Sequence, residues 1–190
     1  MEDRARPHLG RGVVYPSQWF RVLDHFISNN MLRIRPATVE DVPLLRQMIV
    51  EFATFERLAD ELSITAEALQ RDGFGTERRF RALISEWLGK PAGYAMYFNF
   101  YSSFQGPGLF LEDVYVREEF RGKGIGKALM AEVAAIAVRE GLWAMRWEVL
   151  DWNQPAIDFY KKLGAIFLDD WKAVLLDEEH LRLLAESVPR

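Results

Sequence analysis

The sequence contains no cysteine, which excludes disulfide bonds, thiolate nucleophiles and metal sites ligated by cysteine. Histidine is scarce as well. The three histidines, His8, His25 and His180, lie far apart in the chain and form no metal-binding pattern. We therefore expect no metal cofactor. A chain without cysteine is also suited to a reducing compartment, and we expect the protein to be cytoplasmic.

Long apolar runs and an excess of basic charge are lacking too. No apolar stretch reaches the roughly 18 residues that a membrane-spanning helix needs, and residues 13–27 are interrupted by polar and charged side chains, unlike a signal peptide. The formal net charge is -4. We therefore expect no membrane and no nucleic acid as partner, whereas a cationic substrate would suit this charge.

The chain of 190 residues is long enough for one domain with a full core. Residues 1–30 show little periodicity, and we expect them to be a poorly ordered N-terminal extension. A strand-like stretch begins directly after Met31. The sequence therefore predicts a single domain over residues 31–190.

The first half of that domain combines two helices with three strands. Thr38 and Asp41 indicate a helix start, the apolar spacing extends this helix to Phe55 and Glu56, and a second helix is predicted to end with Gly73 as its C-cap. Strands are predicted over residues 79–87, 92–101 and 109–116. The short loops between these strands favour an antiparallel meander.

The second half alternates helices and strands. A helix is predicted from Ile125 until Gly141 closes it, followed by a strand over 143–150 and a short helix over 153–163. Residues 165–177 should add a further strand or hairpin. The element order predicts an α/β fold with a mixed sheet.

A glycine-rich turn joins the third strand of the meander to the helix at Ile125. Its amides can converge on an anion at the helix N-terminus, and Arg121, Lys123 and Lys127 add positive charge, which suggests more than one phosphate. The spacing fits neither the Walker pattern nor the dinucleotide fingerprint. Nucleotide hydrolysis and hydride transfer are therefore disfavoured.

The pattern Arg121-x-x-Gly124-x-Gly126 after a strand resembles the acetyl-CoA pyrophosphate loop of the GNAT N-acetyltransferases. The stretch DWNQPAIDFYKKLGA, residues 151–165, resembles the second cofactor motif of that family. Further stretches, EFATFERLADEL (51–62) and FLEDVYV (110–116), are similar to the spermidine/spermine, diamine and thialysine N-acetyltransferases. The resemblance implies the GNAT fold, a mixed and mostly antiparallel sheet flanked by helices, and acetyl-CoA as co-substrate.

The same resemblance assigns residues to the cofactor. Backbone amides of the strand end are expected to bind the thioester carbonyl and the pantetheine arm, the glycine turn the pyrophosphate, and the turn after Asp151 the pantetheine arm again. The expected cofactor-binding residues are Val114, Tyr115, Val116, Arg121, Gly122, Lys123, Gly124, Ile125, Gly126, Asn153, Gln154, Pro155 and Ala156.

Acyl transfer to an amine needs a proton acceptor, because an aliphatic ammonium has a pKa of about 10.4. Glu112 and Asp113 are adjacent on a strand and should point to opposite faces. The resemblance selects Glu112 as the catalytic group, either as a base or as an electrostatic contact for the ammonium. It also selects Tyr160 as the acid that protonates the departing thiolate, against the alternative of a core aromatic. The expected substrate-binding residues are Phe55, Glu56, Glu112, Asp113 and Glu148.

The resemblance thus implies an N-acetyltransferase that transfers an acetyl group from acetyl-CoA to the primary amine of a small aliphatic substrate, directly in a ternary complex. A diamine, a polyamine or a thialysine-like amino acid would fit. Two alternatives remain: a protein lysine or N-terminal acetyltransferase, and a non-catalytic CoA-binding module. A homodimer is expected, with the aromatic stretch from Tyr97 to Tyr101 as a candidate interface.

Overall fold

The computed structural model describes residues 31–188, so the predicted N-terminal extension lies outside the described residues. The chain forms two compact units, divided after Glu148. The single domain over 31–190 stays a prediction. Among residues 31–188, no helix is long and apolar enough to cross a membrane.

The first unit contains a five-stranded sheet in the order β1-β2-β3-β4-β5. Its first four strands are antiparallel, and β5 lies parallel to β4. Within residues 31–148, the described part of this unit, three α-helices accompany the sheet. The elements are β1 (Leu32–Pro36), α1 (Val42–Glu56), α2 (Ala66–Phe74), β2 (Arg81–Trp87), β3 (Lys90–Ser102), β4 (Gly106–Val116), α3 (Ile125–Arg139) and β5 (Met145–Arg146).

Helices α1 and α2 bury their apolar positions against one face of the sheet. The cluster there combines Leu45 and Ile49 of α1 with Ile84, Tyr94 and other buried strand residues. Helix α3 packs on β3 and β4 and contributes its own buried apolar stripe. Burying these apolar side chains is the main stabilising contribution to such a fold.

The start of α1 depends on a carboxylate held by several donors. A 3-10 turn, Val39–Asp41, precedes the helix, and Thr38 and Asp41 form a capping box. Asp41 accepts two hydrogen bonds from the Arg35 guanidinium, at 2.6 and 2.8 Å, and one from the backbone of Thr38 at 2.8 Å. Arg35 holds the pKa of Asp41 down at about 2, against desolvation that would raise it. The predicted helix start is confirmed.

The antiparallel meander and the first three helices match the predictions, with a correction at Gly73. Helix α2 continues to Phe74, and its C-cap is Gly75. Gly73 is a buried position inside the helix, where a Cβ would lie 2.4 Å from the ring of Phe80. This glycine is therefore needed for the close approach of Phe80.

The second unit contains α4 (Gln154–Lys162) and α5 (Glu178–Glu186). The short helix predicted over 153–163 is confirmed, and α5 was not predicted. The strand predicted over 143–150 is too long, because only Met145 and Arg146 form a strand there. The strand or hairpin predicted over 165–177 is wrong, because these residues contain no strand. Most of the apolar residues in 165–177 are exposed, so their strand-like composition has no ladder to stabilise it.

Candidate active site

The candidate site in the first unit begins at an irregularity in β4. Asp113 pairs with Met96 of β3 while Leu111 pairs with Tyr97, so Glu112 has no partner across the ladder. This two-against-one arrangement is a β-bulge, which interrupts strict alternation and turns side chains out of the regular pattern. The expectation that Glu112 and Asp113 point to opposite faces assumed strict alternation, and that assumption fails at this position.

The end of β4 presents backbone amides away from β3. Arg117 donates its backbone N–H to Ala92 O at 2.9 Å, and pairing alternates along an antiparallel ladder. Tyr115 therefore pairs with Tyr94 through the backbone, whereas the N–H groups of Val114 and Val116 point to the opposite side. Two of the three amides expected to bind the cofactor are thus directed away from the ladder, and that of Tyr115 is not.

The side of β4 that these amides face lacks a strand partner. β5 pairs only with Leu109 and Phe110, and in the described residues 31–188 no strand pairs with this edge beyond Phe110. A strand edge with unpaired donors can bind an extended ligand by main-chain hydrogen bonds. The amides of Val114 and Val116 are suited to such a ligand.

Asp113 is partly buried and is held by a tyrosine that the sequence did not single out. The hydroxyl of Tyr94, which is 0% exposed, donates to Asp113 Oδ2 at 2.8 Å. Desolvation raises the pKa of Asp113 to about 6; the hydrogen bond from Tyr94 opposes this increase, and the charges of Glu112 and Glu56 add to it. Asp113 is therefore a carboxylate whose charge changes close to neutral pH.

Two further acidic residues, Glu56 and Glu148, lie near Asp113 and Glu112. Burial raises the pKa of Glu56 at the end of α1. Burial also raises the pKa of Glu112, and the charge of Glu148 adds to that effect. The charges of Glu112 and Glu56 act on Asp113, and the charge of Glu148 acts on Glu112, so these four carboxylates form a connected group. We call this group the acidic cluster. It contains four of the five predicted substrate-binding residues.

The glycine turn has the backbone geometry that glycine permits. Gly122 and Gly124 have φ of 75° and 79°, in the left-handed region that favours glycine. Gly124 is also the N-cap of α3 and supplies no side-chain cap to the helix. A Cβ on Gly126 would meet only Val116 Cγ2, at 3.7 Å. The backbone at the N-terminus of α3 therefore has no side-chain cap from Gly124 and little side-chain bulk at Gly126.

Two of the predicted cationic side chains of the turn, Arg121 and Lys123, are engaged within the first unit. Arg121 donates through Nε to Val116 O at 3.1 Å, and its guanidinium lies over the ring of Phe55, 4.6 Å from the centroid. Lys123 donates to Glu119 O at 2.9 Å. Phe55, the fifth predicted substrate residue, therefore contacts the glycine turn.

Ile125 is buried at the start of α3, and the predicted residues of the second motif belong to the second unit. Asn153 is the N-cap of α4, and its Oδ1 accepts from the backbone N–H of Ala156 at 3.3 Å. Pro155 lies in the first turn of that helix, and Gln154 is exposed and bonded to Asp158. Tyr160 is 7% exposed, with Phe159 as a ring neighbour. The roles of these residues in binding and catalysis stay predictions.

Two features of the site were missed by sequence reasoning. Tyr94 lies in an apolar strand, where an aromatic residue is typical of core packing, so only the fold reveals its bond to Asp113. Glu51 and Arg117 are 66 residues apart and form a bidentate ion pair. Neither carries a local sequence signal. In the described residues, no group of histidine, aspartate or glutamate side chains is arranged to hold a metal ion.

Comparison with known proteins places the chain in a family. Residues 45–165 match the Acetyltransferase (GNAT) family. The chain is 39% identical over 163 residues to a thialysine N-epsilon-acetyltransferase of Sus scrofa, covering 80% of this chain and 96% of the relative. It is 35% identical over 164 residues to a human spermidine/spermine N(1)-acetyltransferase-like protein 1, covering 81% of this chain and 24% of that longer protein.

Solved structures support the same fold. An integron cassette protein from the mobile metagenome of V. cholerae superposes with a TM-score of 0.68, at 21% identity, over 83% of this chain and 99% of that one. At this identity the likeness shows the fold alone. Together with the family match, the mixed sheet and flanking helices confirm the predicted GNAT fold: the chain belongs to the GNAT acetyltransferase family and is an acetyltransferase.

Proposed function

We propose that the protein transfers an acetyl group from acetyl-CoA to the primary amine of a small aliphatic substrate, directly within a ternary complex. The observation that carries this proposal is the position of the acidic cluster, which surrounds the bulge of β4 just before the strand end that offers the amides of Val114 and Val116. Strand β4 thus places carboxylates that attract a cation next to backbone amides that can donate hydrogen bonds to a thioester.

Acetyl-CoA fits the arrangement of the first unit. The amides of Val114 and Val116 would bind the pantetheine arm and polarise the thioester carbonyl as it becomes tetrahedral. The N-terminus of α3, with Gly124 and Gly126, would bind the pyrophosphate. By resemblance to the family, Asn153 and its turn would also bind the pantetheine arm.

The amine must lose a proton before it can attack. An ammonium of pKa about 10.4 is almost entirely protonated at neutral pH, so a carboxylate has to accept that proton, directly or through water. Glu112 lies at the bulge and its pKa is raised by burial and by Glu148, which makes it a better base than an ordinary glutamate. Asp113 and Glu56 supply further negative charge for the cation.

The transfer then needs no covalent enzyme intermediate. The free amine, deprotonated by Glu112, forms a bond from its nitrogen to the carbonyl carbon, and the carbon–sulfur bond breaks. The departing thiolate takes a proton from Tyr160, which we assign as the general acid by its place in the second motif. The second proton that the nitrogen loses passes through water and restores Tyr160 after its donation to the thiolate, and Glu112 returns its own proton to the solvent. A cysteine-free chain offers no thiol for an acyl-enzyme.

The substrate is proposed to carry a second charged or polar end beyond the reacting amine. A cluster of several carboxylates suits a diamine or a polyamine. Two relatives are named for thialysine and for spermidine/spermine, which are aliphatic amines. Diamines, polyamines and thialysine-like amino acids are therefore the first compounds to assay. The cytoplasm remains the expected compartment.

A homodimer is also proposed, with a corrected interface. Within the stretch suggested by the sequence, Tyr97 is buried at 4% exposure, whereas Tyr101 is 78% exposed. Phe104 follows this stretch in the β3–β4 hairpin and is 88% exposed. The exposed hairpin tip is the better candidate for the contact. Sedimentation of the wild type and of Phe104→Ser would test it, since loss of this contact should shift a dimer toward monomer.

The function is tested by CoA release with a panel of amines, comparing Glu112→Gln and Tyr160→Phe with Glu132→Gln. Glu132 is an exposed glutamate of α3 outside the acidic cluster. We expect each site variant to lower kcat by about 10² or more, and Glu132→Gln to match the wild type. Near-normal kcat in Tyr160→Phe, with chemistry rate-limiting, would remove the general-acid assignment.

The same assay separates the two alternatives. A protein acetyltransferase would acetylate lysine-containing peptides or N-termini in preference to free amines. A CoA-binding module would bind acetyl-CoA by calorimetry and release no CoA with any amine or peptide. Turnover of free aliphatic amines above peptides would favour the proposed function.

A further inference from the structure

Arg117 connects three parts of the first unit at the point where β4 ends. Its backbone N–H bonds to Ala92 O at 2.9 Å, and its Nη1 donates to Pro91 O at 3.1 Å, which ties it to the start of β3. Its Nε and Nη2 donate to the two carboxylate oxygens of Glu51 at 2.8 and 2.9 Å. Such a two-pronged bond fixes the direction of both side chains as well as their distance.

Glu51 is held on its own side of this pair. It lies on α1, accepts from Gln47 Nε2 at 2.9 Å and is within 3.5 Å of the Tyr115 hydroxyl. The Arg117 side chain is 16% exposed and that of Glu51 29% exposed. Because the pair is shielded and bidentate, it constrains the chain more than an ordinary surface ion pair does.

A second arginine ties the same helix to the same loop. One turn after Glu51, Phe55 lies under the guanidinium of Arg121, which also bonds to Val116 O. The segment from Arg117 to Arg121 is thus attached to α1 at both ends. This segment leads directly into Gly122–Gly126, and α1 carries Glu56 of the acidic cluster.

The geometry points to a positioning role for the Arg117–Glu51 ion pair. We propose that this pair sets the place of the β4 end and the glycine turn relative to α1, so that affinity for acetyl-CoA and affinity for the amine depend on it together. This inference rests on the proposed function, because it takes the glycine turn as the cofactor loop and the acidic cluster as the amine site.

The test compares two ion pairs of similar chemistry in the same unit. Glu51→Gln keeps the size of the side chain and removes the charge that Arg117 binds, while Arg117→Lys keeps the charge and removes the two-pronged bond. The control is Glu140→Gln. Glu140 forms a bidentate pair with Arg81, about one-third exposed on each side, between β2 and the end of α3, and touches neither the glycine turn nor the acidic cluster.

We expect Glu51→Gln and Glu140→Gln to lower Tm by similar amounts. Only Glu51→Gln should raise KM for both acetyl-CoA and the amine, by about fivefold or more each, with kcat within about threefold of the wild type. Amide hydrogen exchange of residues 117–126 should be faster by about tenfold in Glu51→Gln and unchanged in Glu140→Gln. Arg117→Lys should fall between Glu51→Gln and the wild type.

Unchanged KM values for both substrates in Glu51→Gln, with a Tm loss equal to that of the control, would show a merely structural pair. Equal KM changes in Glu51→Gln and Glu140→Gln would also overturn the proposal. Failure of the proposed function looks different: the wild type would bind acetyl-CoA and acetylate no amine. In that case the positioning role is tested by calorimetry of acetyl-CoA binding to the wild type and to Glu51→Gln. An unchanged Kd in Glu51→Gln would reject this role.

Discussion

At the scale of single residues, Asp113 shows a conflict between stability and chemistry. Folding places its carboxylate in a partly buried setting beside the charges of Glu112 and Glu56, which raises its pKa from 3.8 to about 6. A buried charge of this kind destabilises the fold at neutral pH. Its presence beside the bulge is consistent with a role in binding or activating an amine, since strongly shifted carboxylates concentrate at functional sites.

The first prediction concerns Tyr94, whose hydroxyl bond lowers the pKa of Asp113. In Tyr94→Phe that donor is lost, so the pKa should rise further above 6. Because the ionised Asp113 carboxylate is the form that attracts an ammonium, the acidic limb of kcat/KM should move to higher pH by about half a unit or more. A pH profile of turnover measures this shift.

Tyr97→Phe is the matched control for this shift. Tyr97 is also buried and lies on the same strand, but outside the acidic cluster. A limb that stays in place in Tyr94→Phe, or moves equally in both variants, would show that the Tyr94–Asp113 bond does not tune the reaction.

The second prediction concerns stability of Asp113→Asn. A carboxyl whose folded pKa is raised contributes stability below its unfolded value of 3.8, and this contribution is lost as pH rises through about 6. Replacing it with the neutral amide, which can still accept from Tyr94, should increase the free energy of unfolding at pH 7.5 by up to about 3 kcal/mol.

The advantage of Asp113→Asn should largely vanish at pH 4, where the wild-type carboxyl is protonated in the folded state. Thermal unfolding of both proteins at the two pH values checks this, and the difference between them cancels the titration of other carboxylates such as Asp41. A variant that is less stable than the wild type at pH 7.5 would contradict the assigned burial cost.

At the scale of elements, the glycine turn and the strand end before it form the surface proposed to bind acetyl-CoA. Gly122 and Gly124 adopt positive φ, so alanine at either position is strained by about 1–2 kcal/mol. Gly126 lies inside the first turn of α3 with ordinary φ and open space around it. The fold requires the first two glycines for conformation, but it does not require the third.

The third prediction therefore uses Gly126→Ala to separate binding from folding. The added methyl group would meet only Val116 Cγ2 at 3.7 Å, and alanine favours a helix by up to about 1 kcal/mol over glycine. Tm should be unchanged or higher, while the Kd for acetyl-CoA should rise by about tenfold if the phosphates approach this backbone closely.

Gly124→Ala provides the contrast by thermal unfolding and calorimetry, since it should lower Tm as well as affinity. An unchanged Kd in Gly126→Ala would show that the ligand does not approach this position.

The elements also show how far the sequence determines the fold. The meander, the helix starts and the glycine turn follow from local signals: apolar periodicity, Thr38 with Asp41, and glycines between a strand and a helix. The bulge at Glu112 does not, because it depends on register with Met96 and Tyr97 across the sheet. Residues 165–177 have strand-like composition, and composition alone does not supply a partner strand.

The candidate site divides in the same way. Glu112, Asp113 and the glycine turn could be predicted because they are adjacent in sequence and resemble family motifs. Tyr94 and the Arg117–Glu51 pair could not, since each acts through a contact between distant strands or helices. The residues proposed to bind ligand carry local sequence patterns, whereas the residues proposed to position them are found only from the fold.

At the scale of the whole molecule, net charge and its distribution bear on the substrate. The chain carries 28 acidic and 24 basic residues, an excess too small to steer ligands by itself. The acidic cluster concentrates four carboxylates around one strand segment. The field at the proposed amine site is therefore set locally, and added salt should screen it over a range set by the Debye length.

The last prediction is that salt weakens binding of dicationic amines more than that of monocationic ones. Between roughly 0.05 and 0.5 M salt the Debye length falls from about 14 Å to about 4 Å, so attraction to carboxylates that do not touch the ammonium is lost. KM for 1,5-diaminopentane should rise by about threefold or more, against a smaller change for pentylamine of the same length, with kcat little changed for both. Steady-state kinetics at fixed saturating acetyl-CoA measure the two slopes. If KM depends on salt concentration equally for the two amines, the acidic cluster attracts only the reacting amine. The second cation of the diamine would then need no carboxylate of its own.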